Sequence, residues 1–305
     1  MSIRARLLRR TLRWFINGEK AQTLEEQRRG LDRFSRFQYT RRVARRETTL
    51  GGVPTVDTTP KGVNPRDHIL YFHGGGYAMG SPRTHAGLAA QLAIRAKATV
   101  HVIDYRLAPE HPYPAAIEDC TAAYLALVAE VDPDTVVLAG DSAGGGAVLA
   151  TAVGLRDGGE RLPACLYLLS PWTDLTRSGD SIVDKAGVDP MFGTEGASLI
   201  TQMADWYRGD YDADHPGISP LFAKLTGLPP MLVQVGNDEI LLSDSTRLVE
   251  RAKAAGVETV LDVADDMWHV YQVLAPLMPE AIAALDQAVS FISERTTARI
   301  TSAVG

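Results

Sequence analysis

Thr135-Val136-Val137-Leu138-Ala139-Gly140-Asp141-Ser142-Ala143-Gly144-Gly145 is the stretch on which the fold turns. Its first five residues read as a buried strand, and Ala147-Val148-Leu149-Ala150-Thr151-Ala152 beyond it as a small-residue helix. Between them, a Gly-x-Ser-x-Gly turn sets Ser142 on a sharp strand-to-helix bend with its oxygen exposed. Glycines two residues before and after the serine let the flanking backbone approach without Cβ clashes. A second glycine-rich turn, His73-Gly74-Gly75-Gly76-Tyr77, lies about seventy residues upstream and follows another apolar run, His68-Ile69-Leu70-Tyr71-Phe72. The two turns together point to a serine hydrolase.

Working outward, strand-like and helix-like segments alternate. Thr99–Asp104, Ala164–Leu169, Met231–Val235 and Val257–Val263 read as strands. Pro114–Val131, Ser245–Ala255 and Pro279–Glu294 read as helices. Such alternation implies a mostly parallel sheet covered by helices on both faces. The interval from Thr176 to Pro230 is too long for a simple crossover, so an insertion is expected there, at about 176–225. A helical stretch over Leu24–Arg46 is expected to complete a helical lid, with the Gly51-Gly52 pair marking where the chain joins the sheet. The expected organisation is therefore a helical cap segment over 1–50 and a catalytic domain over 51–305.

The 305 residues, 45% of them hydrophobic, suffice for a full core in one catalytic unit. The net charge of −6 argues against nucleic acid as a partner. Its distribution is uneven: the first fifty residues carry 14 Lys/Arg against 5 Asp/Glu, about +9, which leaves about −15 for the rest. Ile3, Leu7, Leu8, Leu12 and Phe15 recur at roughly helical spacing among the arginines. This segment reads as a helix packing its apolar stripe on the enzyme; the competing reading is a helix lying on an anionic membrane surface. It has neither the apolar core nor the cleavage site of a secretory signal, no run is long enough to span a bilayer, and a cytoplasmic location is expected. Cys120 and Cys165 lie in apolar surroundings and read as reduced core residues. No histidine shows zinc-ligand spacing and neither glycine turn has a phosphate- or dinucleotide-binding pattern, so neither metal nor cofactor is expected.

A serine hydrolase needs a base, an orienting acid and oxyanion donors. His269, in Asp265-Asp266-Met267-Trp268-His269-Val270-Tyr271, is the one histidine beyond both the serine turn and the last expected strand. For the acid, Met231–Val235 runs into Gly236-Asn237-Asp238-Glu239, and position at the strand's carboxyl end favours Asp238. Glu239 is its adjacent competitor, and Asp244 a weaker one that would cap the following helix. Backbone N–H groups of Gly75, Gly76 and Ala143 are the candidate oxyanion donors. Trp14, Phe15, Tyr77, Phe192, Trp206 and Trp268 are candidates for lining a substrate pocket, as alternatives to ordinary packing.

The chain resembles the hormone-sensitive-lipase-like α/β-hydrolases, the bacterial family IV esterases. The resemblance rests on His73-Gly74-Gly75-Gly76, Tyr105-Arg106-Leu107-Ala108-Pro109-Glu110, Gly140-Asp141-Ser142-Ala143-Gly144-Gly145, Ser170-Pro171-Trp172, Ser219-Pro220-Leu221-Phe222, Gly236-Asn237-Asp238-Glu239 and Trp268-His269. It spans roughly residues 65 to 275. It implies an α/β-hydrolase fold with a helical cap, and a Ser142–Asp238–His269 triad acting through a covalent acyl-enzyme on short- to medium-chain carboxylic esters. It also implies that His73, with Gly74 and Asp141 beside it, supports the glycine loop, and that Asp104, Arg106 and Glu110 are buried or partly buried scaffold groups around the active-site floor. Gly146 stands where the family often has asparagine, which implies altered helix packing. The resemblance leaves open lactone hydrolysis, deacetylation, a membrane-associated lipase, a non-catalytic receptor and a homodimer.

Overall fold

The computed structural model describes the backbone of residues 1–17, 23–34 and 40–303, and the side chains of 1–12, 23–31 and 40–296. Eight strands form one sheet among the described residues: β1 (Val43–Leu50), β2 (Val53–Pro60), β3 (His68–Phe72), β4 (Thr99–Ile103), β5 (Val136–Asp141), β6 (Cys165–Leu169), β7 (Met231–Gly236) and β8 (Thr259–Ala264). Their spatial order is β1-β2-β4-β3-β5-β6-β7-β8. The β1–β2 and β2–β4 pairs are antiparallel, and every pair from β4–β3 to β7–β8 is parallel. The parallel strands read as near-continuous apolar runs because both their faces are covered. Alternate residues feed two cores. Leu70, Phe72, Val136 and Leu138 pack on one side, here called the upper core, and Ile69, Tyr71, Val137 and Ala139 on the other, the lower core.

Helices α3 (Ala86–Ala96), α4 (Ala115–Val128), α5 (Ala143–Asp157), α8 (Leu242–Ala254) and α9 (Pro279–Ala303) cover these faces. The long interval holds two helices, α6 (Ser181–Asp184) and α7 (Gly196–Arg208), and α7 buries Ile200, Met203, Ala204 and Tyr207. At the amino end lie α1 (Ile3–Asn17) and α2 (Leu24–Phe34).

The sequence expectation of a helix over Leu24–Arg46 is corrected here. The second helix ends at Phe34, residues 35–39 lie outside the described ones, and Val43–Leu50 is a strand. Gly51 and Gly52 form the hairpin turn between β1 and β2, both at positive φ, where a Cβ is costly. Thr48 and Thr49, with Thr55 and Val56 across the hairpin, favour the pleated conformation that the arginine-rich composition obscures.

Candidate active site

The parallel registers set Asp141 beside Leu169 and Leu169 beside Gln234, so β5, β6 and β7 end side by side. Their carboxyl ends carry Ser142, Ser170 and the Gly236–Glu239 turn. Ser142 adopts φ 53°, ψ −122°, a conformation that costs roughly 1–3 kcal/mol for a residue with a Cβ. Its backbone is held there from both sides: its N–H donates to Leu169 O (2.8 Å) and its carbonyl accepts from Trp172 N (2.8 Å) and Gly146 N (3.1 Å). The position of Trp172 explains Gly146. A Cβ there would lie 2.2 Å from Trp172 O, so a larger residue would push the elbow away from its neighbour.

His269 and Glu239 meet across the ends of β7 and β8. Nδ1 of His269 donates to Glu239 Oε1 at 3.3 Å, and Glu239 is fully buried. The other carboxylate oxygen accepts from Ser170 Oγ and from Gly236 N, each at 2.8 Å. Ser170 Oγ also accepts from Val270 N at 3.1 Å, so one hydroxyl ties the acid to the loop that carries the base. Burial opposes charge on His269, but the hydrogen bond and negative charge of Glu239 outweigh it and raise its pKa above the ordinary value. Nε2 of His269 makes no hydrogen bond among the described residues.

The expectation for Asp238 is therefore corrected. The turn at Asn237–Asp238 points Asp238 outward, where its carboxylate pairs with Arg9 Nη1 at 2.7 Å and Lys185 Nζ at 3.6 Å. Glu239, one residue further on, returns inward with the extra methylene needed to reach both the imidazole and the Gly236 amide. Asp244 lies within α8 and does not cap it: it is buried and accepts from the backbone N–H groups of Thr173 and Asp174 (2.8 and 2.9 Å).

The glycine turn after β3 lies against the serine turn. Gly75 and Gly76 take φ 120° and 62°, and among the described residues neither N–H donates a hydrogen bond. Ala143 is the first residue of α5, where an N–H has no intrahelical partner and the helix dipole favours negative charge. A Cβ on Gly76 would fall 2.1 Å from the Met203 sulfur, which places α7 directly over this loop.

Asp141 binds the two turns together. Its Oδ1 accepts from Tyr71 Oη (2.7 Å) and from Gly74 N (3.0 Å), and its carboxylate faces His85 Nε2 at 3.2 Å. His73 is buried, donates from Nδ1 to Gly74 O (2.8 Å) and stacks on Tyr105 at 4.2 Å between centroids. Burial, reinforced by His85, pushes its pKa down to about 3, so it is neutral at working pH and unsuited to shuttling protons.

Of the remaining pocket candidates, Phe192 is the one placed against the base, its ring centroid 4.9 Å from that of His269. Trp206 is half-buried and packs on the upper core. Tyr77 and Trp268 are corrected as pocket residues. Tyr77 is stacked on Tyr207 at 3.7 Å, Trp268 is enclosed in the lower core, and neither offers surface to a substrate. Trp14 and Phe15 fall on α1, but their side chains lie outside the described residues. Asp104, Arg106 and Glu110 are exposed rather than buried; Arg106 forks onto Asp119, and Glu110 pairs with Arg28.

Two residues with no role in the sequence reading join the site. Ser170 ends the strand between those bearing the serine and the acid, a position that could have singled it out. Asp189 is fully buried within the insertion, its Oδ1 accepting from Met191 N at 2.9 Å. Burial pushes its pKa up to about 7; the charge of Glu239 adds to the rise and His269 opposes it. Nothing in the local sequence marks it, because its surroundings come from distant segments.

Residues 69–273 match the family described as alpha/beta hydrolase fold. An acetyl-hydrolase of Streptomyces hygroscopicus is 40% identical over 229 residues, covering 75% of this chain and 76% of the relative. An esterase of Acinetobacter venetianus is 38% identical over 224 residues, 73% of each chain. Among solved structures, a hormone-sensitive lipase from a metagenome library superposes with a TM-score of 0.92 at 41% identity, over 97% of this chain and 99% of that one. An esterase from the bacterial hormone-sensitive lipase family does so with the same score and coverage at 39% identity. The likeness thus runs along almost the whole length of the chain, and the chain belongs to the hormone-sensitive-lipase-like family of α/β-hydrolase carboxylesterases.

Proposed function

We propose that this carboxylesterase acts on short-chain esters through a Ser142–His269–Glu239 triad and a covalent acyl-enzyme. Ser142 Oγ attacks the ester carbonyl while Nε2 of His269 takes its proton. The tetrahedral oxyanion sits among the N–H groups of Gly75, Gly76 and Ala143. Collapse breaks the C–O bond, and His269 returns the proton to the departing alcohol. Water then repeats the attack on the acyl-enzyme, with His269 again as base, and releases the carboxylic acid. Glu239 fixes the imidazole tautomer and stabilises the imidazolium without itself taking the proton.

The observation that carries this reading is the buried Glu239–His269 hydrogen bond, set at the same carboxyl end of the sheet as a serine held in an elbow conformation. A length of 3.3 Å suits a contact that tightens when the imidazole becomes charged. Preference for short acyl chains is supported by Phe192 against His269 and by Met203 against Gly76, which narrow the space around the reacting carbonyl. The relatives named acetyl-hydrolases agree with it.

The test is hydrolysis of p-nitrophenyl esters from acetate to palmitate by wild type and Ser142→Ala. Highest kcat/KM on acetate to butyrate, lost in the variant, is the expected result. Activity surviving in Ser142→Ala would remove the nucleophile, and a peak on palmitate would remove the short-chain assignment.

A further inference from the structure

The two amino-terminal helices each send one arginine into the loops that carry the chemistry. From α1, Arg9 reaches three loops at once. Its Nη1 pairs with Asp238 at 2.7 Å and donates to Asp266 O at 3.2 Å, while Nη2 donates to Val188 O at 3.2 Å. Those partners are the immediate neighbour of Glu239, a residue three before His269, and the neighbour of Asp189. From α2, Arg28 reaches the other side of the site. Its Nε donates to Ala78 O (2.8 Å) and Nη2 to Ala108 O (2.9 Å), and its fork closes on Glu110 (2.7 and 2.8 Å). Ala78 N donates to Gly75 O, and Ala108 N to Tyr77 O, so Arg28 braces the oxyanion loop from behind.

We propose that the amino-terminal segment is a two-armed positioning clamp, with Arg9 fixing the acid and base loops and Arg28 fixing the oxyanion loop. The proposal rests on the triad assignment above. Neither arginine touches the reacting atoms; both act through the loops they hold. A guanidinium suits this task because its planar fork can satisfy a carboxylate and backbone carbonyls together, which an ammonium cannot. Short isolated helices are marginal in water, so α1 and α2 depend on these contacts and on packing to stay in place. Ala5, Leu8 and Leu12 pack against the lower core, and Ser2 bonds to Glu280 through its hydroxyl at 3.0 Å. The surplus of positive charge in the first fifty residues, opposite an acidic remainder, then orients the segment onto the catalytic unit. Asp238 also gains a role: it is the docking acid for α1 rather than the partner of the histidine.

The experiment compares Arg9→Ala, Arg28→Ala, Arg9→Lys, Arg28→Lys and a surface control, Arg29→Ala, on p-nitrophenyl butyrate, with Ser142→Ala in parallel. Arg29 is exposed and pairs with Glu25 at 3.5 Å. Each alanine variant is expected to lower kcat roughly tenfold with KM within about twofold, as sub-ångström misplacement of catalytic groups does. Each lysine variant should recover part of the loss, and Arg29→Ala should match wild type. Circular dichroism melts accompany the assays, run well below each melting temperature; if an alanine variant fails to fold, its lysine counterpart carries the test. Arginine variants equal to Arg29→Ala, or changed in KM alone, would overturn the clamp while a dead Ser142→Ala left the triad standing. An active Ser142→Ala would take both down.

Discussion

Among the buried histidine–carboxylate pairs of the described residues, His269–Glu239 and His101–Asp57 make an instructive contrast, the first being the proposed catalytic pair. His269 meets Glu239 at 3.3 Å beyond the carboxyl ends of the parallel strands, whereas His101 meets Asp57 at 2.7 Å across the antiparallel β2–β4 pair. By distance alone the second is the better hydrogen bond. It is also fully occupied: Nε2 of His101 meets His68 Nδ1 at 3.0 Å, and the second oxygen of Asp57 takes Arg46 at 2.9 Å. Burial would raise the Asp57 pKa, but the bonds from His101 and Arg46 prevail and hold it below the usual carboxylate value. The imidazole of His269 keeps one nitrogen without a hydrogen-bond partner among the described residues and lies at the same carboxyl end of the sheet as a strained serine. What sets the proposed catalytic pair apart from the other is therefore the valence it leaves open, not the strength of the bond it makes.

The sharpest break between the two pairs is expected from activity. Ser142→Ala should reduce kcat/KM by about 10⁴-fold or more, the scale seen when a nucleophile is removed from an interdependent triad. Asp57→Asn should leave it within about twofold, and p-nitrophenyl butyrate kinetics decide both.

Next in size is the acid. Glu239→Gln should cost about 10²- to 10⁴-fold in kcat, by losing the anion that stabilises the imidazolium. Asp238→Asn should cost about tenfold, as a weakened clamp does. A larger loss at Asp238 than at Glu239 would reverse the assignment made here.

The pH profile separates the same two residues more finely. Because Glu239 raises the His269 pKa, the acid limb of kcat/KM in wild type should lie above the ordinary imidazole value of about 6.5. Glu239→Gln should move that limb to lower pH, since burial alone favours the neutral ring. A limb unmoved by the substitution would sever the link between the two groups.

The smallest expected effect belongs to the other pair and shows in stability. Burial, with the charge of His101 adding to it, holds the His68 pKa down to about 4 against an ordinary 6.5. The unfolded chain thus binds a proton between those values that the folded chain refuses, and stability falls as pH drops from about 6.5 towards 4. His68→Gln should reduce that loss, narrowing the difference in melting temperature between pH 7.5 and pH 5 by a few degrees, with esterase activity unchanged. Identical pH dependence of melting in the two proteins would show that His68 is not the group responsible.

The local sequence carried the elements whose cause is local. Val136–Ala139, Gly140 and Gly144 specify a strand, a tight bend and a close helix in one short span, and the structure has β5, Ser142 and α5 there. The same holds for β3 and the glycine turn behind it. It failed over residues 43–46, read as the end of a helix, where pairing with β2 makes a strand; the sheet supplies the ladder that composition does not reveal. The family resemblance misplaced Asp104, Arg106 and Glu110, which are exposed.

The acid shows most clearly where local information runs out. Asp238 and Glu239 are adjacent, equally acidic and both past the end of β7, so chain position cannot separate them. The turn at Asn237–Asp238, the Gly236 amide and the Ser170 hydroxyl together direct Glu239 inward, and Arg9 draws Asp238 outward. Ser170 and Arg9 lie 69 and 229 positions away from those acids in a sequence of 305 residues.

From the sequence by itself came the fold class and the candidate nucleophile, base and oxyanion loop, because each is specified by residues within a few positions of one another. Tertiary structure alone decided which carboxylate serves the histidine, which aromatic residues are core, and where the arginines of the amino-terminal segment go. Those choices depend on groups that become neighbours only when eight strands take their places in the sheet, and no short-range pattern encodes that distance.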